Sequence, residues 1–258
     1  MDATKLVAGG SDQFGIAGGD QLLVARSKGL PVVAIAALMQ ETPAGFMVHA
    51  DSDIRGMEDF GGKRIRVVPG HNTEIAYRAA MHRLGVDTST IREVVNFTAL
   101  RLLVDRKVDI EPIYVNNQPP IARAQGVEFR VLRPIDAGVR SYGNVYFTTE
   151  HMIRERPELV QRFLEGLLRG WEGAFGDPEK AVDTLLGFAP ALKKDIEMDK
   201  LKATTPLMER SDGRIGWMER ERWTAIWDML QDAGVIKPDA KVDVDRVFDM
   251  KFITGYYE

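Results

Sequence analysis

The chain alternates short apolar blocks with amphipathic ones, and this order predicts strands followed by helices. Residues 31–39 (PVVAIAALM) are apolar almost without interruption, which is typical of a strand buried on both faces. Shorter apolar stretches predict further strands, at residues 6–10, 14–17, 45–50, 65–68, 92–97, 108–116, 128–132 and 143–149. Because short links join them to helical segments, we expect an α/β fold with mixed, mostly parallel sheets.

From residue 150 onward the apolar positions recur with the period of a helix. One long amphipathic helix is marked by Val160, Phe163, Leu164, Leu167, Leu168, Trp171 and Phe175. Trp223, Ile226, Trp227 and Leu230 mark another. We therefore expect a helical C-terminal part, and we place the four tryptophans, which include Trp217, in its core.

Residues 63–84 predict a strand, a turn and a helix in direct succession. Pro69 and Gly70 end the strand, and Asn72 or Thr73 is placed to cap the helix. Free N–H groups and a positive dipole end are found at a helix N-terminus. Ligands of open α/β sheets bind at this edge. The loop before this helix is therefore a candidate for ligand contact, and an ordinary capped turn is the alternative.

Polar side chains follow several of the predicted strands at the point where each strand ends. Amides, hydroxyls and carboxylates in fixed positions suit a small polar ring or an amino group, and tyrosines supply an aromatic wall. The predicted ligand-binding residues are Asp20, Gln40, Glu41, Thr42, Asn72, Thr73, Glu74, Tyr114, Asn116, Asn117, Tyr142 and Asn144. The alternative, loop capping and core tyrosines, accounts for about half of them.

Composition excludes several classes of function. The 258 residues are 45% hydrophobic, which suits one large domain or two smaller ones. The net charge is −4 without a basic block, so we expect no nucleic-acid partner. No apolar run approaches the roughly 18–20 residues of a membrane span, so the chain is not expected to cross a membrane.

The motifs of several cofactor and catalytic sites are missing. The chain has no cysteine, and no two of its four histidines are three or four residues apart, which argues against a metal site. It contains no GxGxxG, no GxxxxGK[ST] and no GxSxG. We predict no cofactor, no metal and no catalytic residue. Arg64, Arg66, Arg78 and Arg140 would serve an anionic ligand if they pointed inward, and the alternative places them on solvated faces.

The order of several segments resembles periplasmic binding proteins of ABC importers. The segments are SDQFGIAGGD at 11–20, ARSKGLPVV at 25–33, DFGGKRI at 59–65, TTE at 148–150, RPELV at 156–160, RGW at 169–171 and DPEKA at 177–181. Together they are most similar to the branch with thiamine-pyrimidine-precursor binding proteins and the fungal pyrimidine synthase. The resemblance covers nearly the whole chain.

This resemblance implies a two-lobe, type 2 periplasmic-binding fold. Lobe one would hold residues 1–46 and 145–258, and lobe two residues 47–144. A small heteroaromatic ligand, such as a thiamine-type pyrimidine precursor, would lie in the cleft between the lobes. Closure around it would let the protein dock on an ABC permease. Sulfonate, nitrate or riboflavin binding, an enzyme on the same fold and a cytosolic sensing domain are the alternatives.

Two departures from the family pattern shape these expectations. The chain lacks the strand and helix with which family members usually begin, and it opens without an export signal. The resemblance implies a periplasmic or cell-surface location, whereas the missing signal implies a cytoplasmic one if the chain is complete. The synthase would also need a cysteine cluster for iron and a site histidine, for which only His71 is a candidate. Synthase activity is therefore not expected.

Overall fold

The computed structural model describes residues 2–98, 100–210 and 212–258. The helices are α1 (Ala3–Ala8), α2 (Gly19–Ser27), α3 (Asn72–Leu84), α4 (Arg101–Val104), α5 (Gln118–Ala124), α6 (Glu150–Glu155), α7 (Pro157–Gly176), α8 (Pro178–Phe188), α9 (Lys194–Met208), α10 (Arg220–Asp232) and α11 (Lys251–Tyr257). The strands are β1 (Gly15–Ala17), β2 (Val32–Met39), β3 (Ala44–His49), β4 (Arg64–Val67), β5 (Arg92–Val95), β6 (Glu111–Tyr114), β7 (Phe129–Leu132) and β8 (Gly143–Thr149).

The chain divides into two compact units. Unit 1 holds the chain up to Thr42, together with Ser141–Met198 and Thr204–Glu258. Unit 2 holds Pro43–Arg140 and Asp199–Ala203. The chain thus changes unit after Thr42 and after Arg140, whereas the sequence prediction placed these changes after residues 46 and 144.

Unit 1 is built on the sheet β1-β8-β2, in which β8 is antiparallel to both neighbours. Every residue of β2 is buried, as its apolar sequence predicts. Its outer edge is bridged at Ala34 by Phe248 and at Ala37 by Gly216. The indole of Trp223, on α10, is fully buried and stacks on Phe248 with ring centroids 6.0 Å apart. The core of this unit therefore joins the sheet to the C-terminal helices.

Unit 2 contains the sheets β6-β3-β7 and β4-β5. The β4 residue Ile65 is bridged in parallel to Ile110, which directly precedes β6. Phe46 of β3 makes edge-on ring contacts with Phe60 and with Tyr77 of α3. This packing anchors α3 against the sheet and fixes the position of its N-terminus beyond the end of β4.

The α/β class and the helical C-terminal part are confirmed, but the directions of the strands differ from the expectation. Of the five strand pairings described, four are antiparallel and only β4 with β5 is parallel. The returning strand β8 lies between β1 and β2, and β3 lies between β6 and β7. The pattern of apolar residues indicates how a strand is buried, but it does not indicate whether the strand runs parallel or antiparallel to its neighbours.

Several predicted elements have other bounds or another type. The stretch predicted as a strand at residues 6–10 belongs largely to α1, which the side chain of Asp2 caps at Thr4 N. The helix predicted at residues 99–106 is only α4, after Leu100 at a φ of 64°, and Ala99 lies outside the described residues. Trp223 and Trp227 are buried, whereas Trp171 and Trp217 are only half-buried.

The helices also bear on whether the chain crosses a membrane. Across residues 2–98, 100–210 and 212–258, none combines the length and the apolar character that a span would need.

Candidate functional site

In unit 2, the helix α3 begins one residue earlier than a cap at Asn72 would allow, and two residues earlier than a cap at Thr73 would allow. His71 is the N-cap, and its side chain accepts a hydrogen bond from the backbone N–H of Thr73. Gly70, with a φ of 77°, supplies the left-handed turn that leads into it. The prediction of the cap was wrong because an imidazole Nδ1 takes the role that Ser, Thr, Asp or Asn usually has.

Four side chains form a hydrogen-bonded group here, which we call the α3 cluster: His71, Asn72, Thr73 and Tyr114. Nδ1 of His71 lies 2.9 Å from Oγ1 of Thr73, and Nε2 of His71 lies 3.2 Å from the hydroxyl of Tyr114. That hydroxyl donates to Oδ1 of Asn72 over 2.9 Å. The rings of His71 and Tyr114 stack with centroids 5.4 Å apart. The cluster therefore joins an aromatic face to a buried amide.

Burial and a nearby charge determine the protonation state of His71 in this cluster. Asn72 and Thr73 are each only 3% exposed. Burial, and then the positive charge of Arg66, lowers the pKa of His71 below its usual value. The imidazole is therefore neutral near pH 7, with one nitrogen as donor and the other as acceptor.

Arg66, on β4, belongs to a buried ion pair and is not available to an anionic ligand. Its Nε donates to Oε1 of Glu111 over 2.8 Å, and its other nitrogens donate to the carbonyls of Asn96 and Pro112. Oε1 of Glu111 also accepts from Leu100 N, while Oε2 is buried and has no partner in the described chain. Burial raises the pKa of Glu111 above its usual value.

Two other arginines of unit 2 are also engaged by carboxylates. Arg64 makes two hydrogen bonds to the carboxylate of Asp109, and Arg78 bonds both Glu93 and Glu74. The second carboxylate oxygen of Glu74 accepts from Gly70 N over 2.7 Å. Glu74 thus closes the turn before α3, which is the capping role that the sequence left open as an alternative.

Asn116 and Asn117 directly precede α5. Both are half-buried. Asn117 is the N-cap residue without a side-chain capping bond, and its backbone N–H donates to the carbonyl of Tyr114. The side chain of Gln118 accepts from Tyr114 N over 2.7 Å. This turn therefore holds the backbone of Tyr114 in place at the end of β6.

In unit 1, a second group lies at the N-terminus of α2, and we call Asp20, Ser141 and Tyr142 the α2 cluster. Asp20 N donates to Oγ of Ser141, and Gly19 N donates to the carbonyl of Tyr142. Oδ1 of Asp20 accepts from Gln21 N over 2.8 Å. The carboxyl is 3% exposed and forms no ion pair among the residues described. Burial raises its pKa to about 7.

The amide of Gln40 is fully used inside unit 1. Its Nε2 donates to the carbonyls of Ala37 and Trp217, and its Oε1 accepts from Arg210. The guanidinium of Arg222 bonds the carbonyl of Gln40. Gln40 thus ties the end of β2 to the following parts of the chain. Of the two residues after it, Glu41 is half-buried and Thr42 is buried.

Tyr142 and Asn144 have different surroundings from those of Tyr114. The ring of Tyr142 is fully buried, its hydroxyl accepts from Glu219 N, and the guanidinium of Arg222 lies 4.5 Å from the ring centroid. It is a core tyrosine, and burial raises its pKa. Asn144 is half-buried and has a φ of 40°, a strained conformation for a residue other than glycine.

Sequence reasoning left four residues out of the predicted ligand-binding set: His71, which it named only as a candidate for the synthase histidine, Ser141, Arg210 and Arg222. The first two are adjacent to predicted site residues, so a wider window around each strand end would have included them. Arg210 lies in the charged run ERSDGR that follows an apolar helix end. The density of charged residues in this run could have marked Arg210 as a candidate. Arg222 sits within an ordinary amphipathic helix and carries no such signal.

The fold is that of the periplasmic binding proteins. The aliphatic sulphonate binding protein SsuA of Escherichia coli superposes with a TM-score of 0.69 at 16% identity, covering 94% of this chain and 77% of that one. The alkanesulfonate-binding protein SsuA of Xanthomonas axonopodis pv. citri superposes with a TM-score of 0.74 at 16% identity, covering 96% and 83%.

The chain belongs to the NMT1/THI5 like family, whose profile matches residues 1–181. The riboflavin-binding protein RibY of Chloroflexus aurantiacus is 29% identical over 252 residues, 94% of this chain and 70% of that protein. The formylaminopyrimidine-binding protein of Halalkalibacterium halodurans is 24% identical over 89% of this chain and 72% of its own length. A 4-amino-5-hydroxymethyl-2-methylpyrimidine phosphate synthase of Legionella pneumophila is 23% identical over 81% and 67%. The resemblance found in the sequence is confirmed.

Proposed function

We propose that this protein binds a small heteroaromatic solute, such as a thiamine-type pyrimidine precursor, as the binding component of an ABC import system. Membership of the NMT1/THI5 like family supports the pyrimidine class. Two relatives are named for binding riboflavin and formylaminopyrimidine. Both of those ligands contain a pyrimidine ring, so one kind of recognition site suits both.

The observation that carries the proposal is the α3 cluster. The stacked rings of His71 and Tyr114 offer a flat aromatic face, and the buried amide of Asn72 lies directly beside them. A planar ring with nitrogen atoms in it can stack on such a face while an amide reads its edge. A heteroaromatic therefore uses both parts of the cluster.

Three of the four arginines considered for an anionic ligand favour a heteroaromatic over a sulfonate or nitrate, and the fourth, Arg140, is exposed. Arg64, Arg66 and Arg78 are each bonded to a carboxylate of the same unit. An anion would have to compete with those carboxylates and leave a negative charge unpaired. A neutral heteroaromatic can bind without separating an arginine from its carboxylate.

Asp20 of unit 1 is a second proposed contact. A buried carboxyl without an ion-pair partner gains a strong hydrogen bond from the amino group of an aminopyrimidine. Below pH 7, where this carboxyl holds its proton, its carbonyl oxygen accepts that bond, and a bound amino group favours ionisation as the pH rises. We propose no catalytic step, and in this account the protein acts outside the cytoplasmic membrane and delivers its ligand to a permease.

Calorimetric titration of the purified protein tests the proposal. The titrants are formylaminopyrimidine, riboflavin, an alkanesulfonate and nitrate. We expect saturable binding of one heteroaromatic per chain, without product formation, and little or no heat from the two anions. Saturation by the sulfonate alone, or no binding of any heteroaromatic, would overturn the proposal. Mass spectrometry of small molecules released from the freshly purified protein provides an independent check.

A further inference from the structure

We propose that the α3 cluster is a one-way hydrogen-bond chain that leaves the NH2 group of Asn72 as its ligand-facing donor. It follows that the ligand presents a hydrogen-bond acceptor here, either a ring nitrogen with a lone pair or a carbonyl oxygen. This second step rests on the proposed function, whereas the direction of the chain does not.

The direction begins at the cap of α3. A backbone N–H can only donate, and that of Thr73 points at Nδ1 of His71 over 3.5 Å. We therefore assign a lone pair to Nδ1, which also accepts from the hydroxyl of Thr73 at 2.9 Å. A neutral imidazole with a lone pair on Nδ1 has its proton on Nε2.

The proton on Nε2 sets the rest of the chain. Nε2 of His71 donates to the hydroxyl oxygen of Tyr114 over 3.2 Å. That hydroxyl has one hydrogen, which it gives to Oδ1 of Asn72 over 2.9 Å. If the amide were turned round, its NH2 group would donate to the same hydroxyl oxygen that already accepts from Nε2, and the hydroxyl hydrogen would lose Oδ1 as its acceptor. The chain therefore fixes which end of the Asn72 amide is oxygen.

The other end of the amide is the NH2 group, and it has no partner among the residues that the structure describes. No described residue accepts a hydrogen bond from Nδ2 of Asn72, although the residue is 97% buried. Nδ2 is also not among the fully buried polar atoms that lack a partner, so a narrow opening reaches it. A buried NH2 group without a partner in the chain donates to an acceptor that a bound molecule supplies.

The position of Asn72 reinforces the preference for an acceptor. It is the first residue of α3, a helix of thirteen residues, where free N–H groups and the positive end of the dipole add to the donor character. A lone pair on a ring nitrogen is favoured there, and an amino group is disfavoured. The ligand's ring nitrogen, rather than its amino group, is therefore assigned to this unit.

The direction of the chain is tested first, without any ligand. Nitrogen-15 NMR of the His71 ring distinguishes the two neutral tautomers. We expect the proton on Nε2. A proton on Nδ1 would reverse every bond in the chain and overturn the proposal, whatever the protein binds. This measurement uses the wild-type protein, so it does not depend on the folding of a variant.

The ligand-facing donor is tested with the variant Asn72→Asp, which keeps an oxygen for Tyr114 and removes the NH2 group. Its affinity for the bound heteroaromatic should fall by about tenfold or more. Asn96→Asp is the matched control because it makes the same change of charge in the same unit, and it keeps the side-chain oxygen of residue 96 that accepts from Thr98 N. It should bind like the wild type, and thermal melting verifies that both variants are folded.

Replacing the ring nitrogen of the ligand with C–H should weaken wild-type binding by a similar factor and Asn72→Asp binding little. Equal affinity of the wild type and Asn72→Asp would overturn the proposal. If no heteroaromatic binds, the proposed function fails, while the NMR result still decides the direction of the chain.

Discussion

Nε of Arg66 lies 2.8 Å from Oε1 of Glu111, and the two side chains are only 6% and 0% exposed. Nη1 and Nη2 of the guanidinium each donate to one backbone carbonyl, whereas Oε2 of Glu111 has no partner in the described chain. The charge of Arg66 also lowers the pKa of His71. This ion pair thus supports the neutral imidazole on which the α3 cluster depends.

Removing one partner of this ion pair should destabilise the folded protein. Arg66→Met leaves a buried carboxylate unpaired, and we expect the free energy of unfolding to fall by about 3–5 kcal/mol. The control is Arg64→Met, whose pair with Asp109 is about one-third exposed on both sides, and for which a loss of at most about 1 kcal/mol is expected. Urea denaturation measures both. Equal losses in the two variants would show that the buried pair has no special role.

Asp20 should make the stability of the protein depend on pH. Burial raises its pKa from 3.8 to about 7, so between these values the folded state holds a proton that the unfolded state has released. Stability is therefore expected to decrease as the pH rises through this window, by ~2–4 kcal/mol. In Asp20→Asn, which keeps an oxygen for Gln21 N, this decrease should disappear.

Urea denaturation at about pH 5 and about pH 8 measures the effect. The control Asp12→Asn removes an exposed carboxylate and should leave the wild-type dependence unchanged. If Asp20→Asn and the wild type lose the same stability between the two conditions, the carboxyl of Asp20 is ionised in the folded protein throughout.

Gly15 should not tolerate a side chain. A Cβ at this position would lie 2.5 Å from Cζ of Phe147 and 3.0 Å from Cγ2 of Val7, both of which are buried. Gly15→Ala is therefore expected to lower the free energy of unfolding by about 1–3 kcal/mol. Gly170→Ala places a Cβ in open space within α7 and should raise it by about 0.5–1 kcal/mol. Thermal melts that shift the same way for both variants would contradict this account of β1.

The sequence predicted best those elements whose burial or bounds depend on the local residues alone. The strand β8 was predicted with both ends correct, because Thr149 caps the next helix and ends the strand. The all-buried pattern of β2 was equally clear. Strand direction was not predictable in this way. It depends on which strands become neighbours, and β8 pairs with β1 and β2 across more than a hundred residues of chain.

The candidate site was predictable in position but not in the use of each side chain. Tyr114 was selected as part of an aromatic wall and Asn72 from a strand end, and the structure places them in hydrogen-bond contact. Gln40 was selected by the same rule, yet its amide is consumed by Trp217 and Arg210, about 170–180 residues further along. Such long-range partners are set by the fold, and local composition does not reveal them.

The central claim, that a heteroaromatic ligand stacks on the α3 cluster, is tested most directly by the binding isotherm of formylaminopyrimidine. We expect Tyr114→Ala to weaken binding by about tenfold or more, because it removes the ring that His71 stacks on and the donor to Asn72. Phe97→Ala removes an aromatic side chain that is 79% exposed on the same unit, and its isotherm should match that of the wild type. Equal affinities for the wild type and Tyr114→Ala would contradict the account.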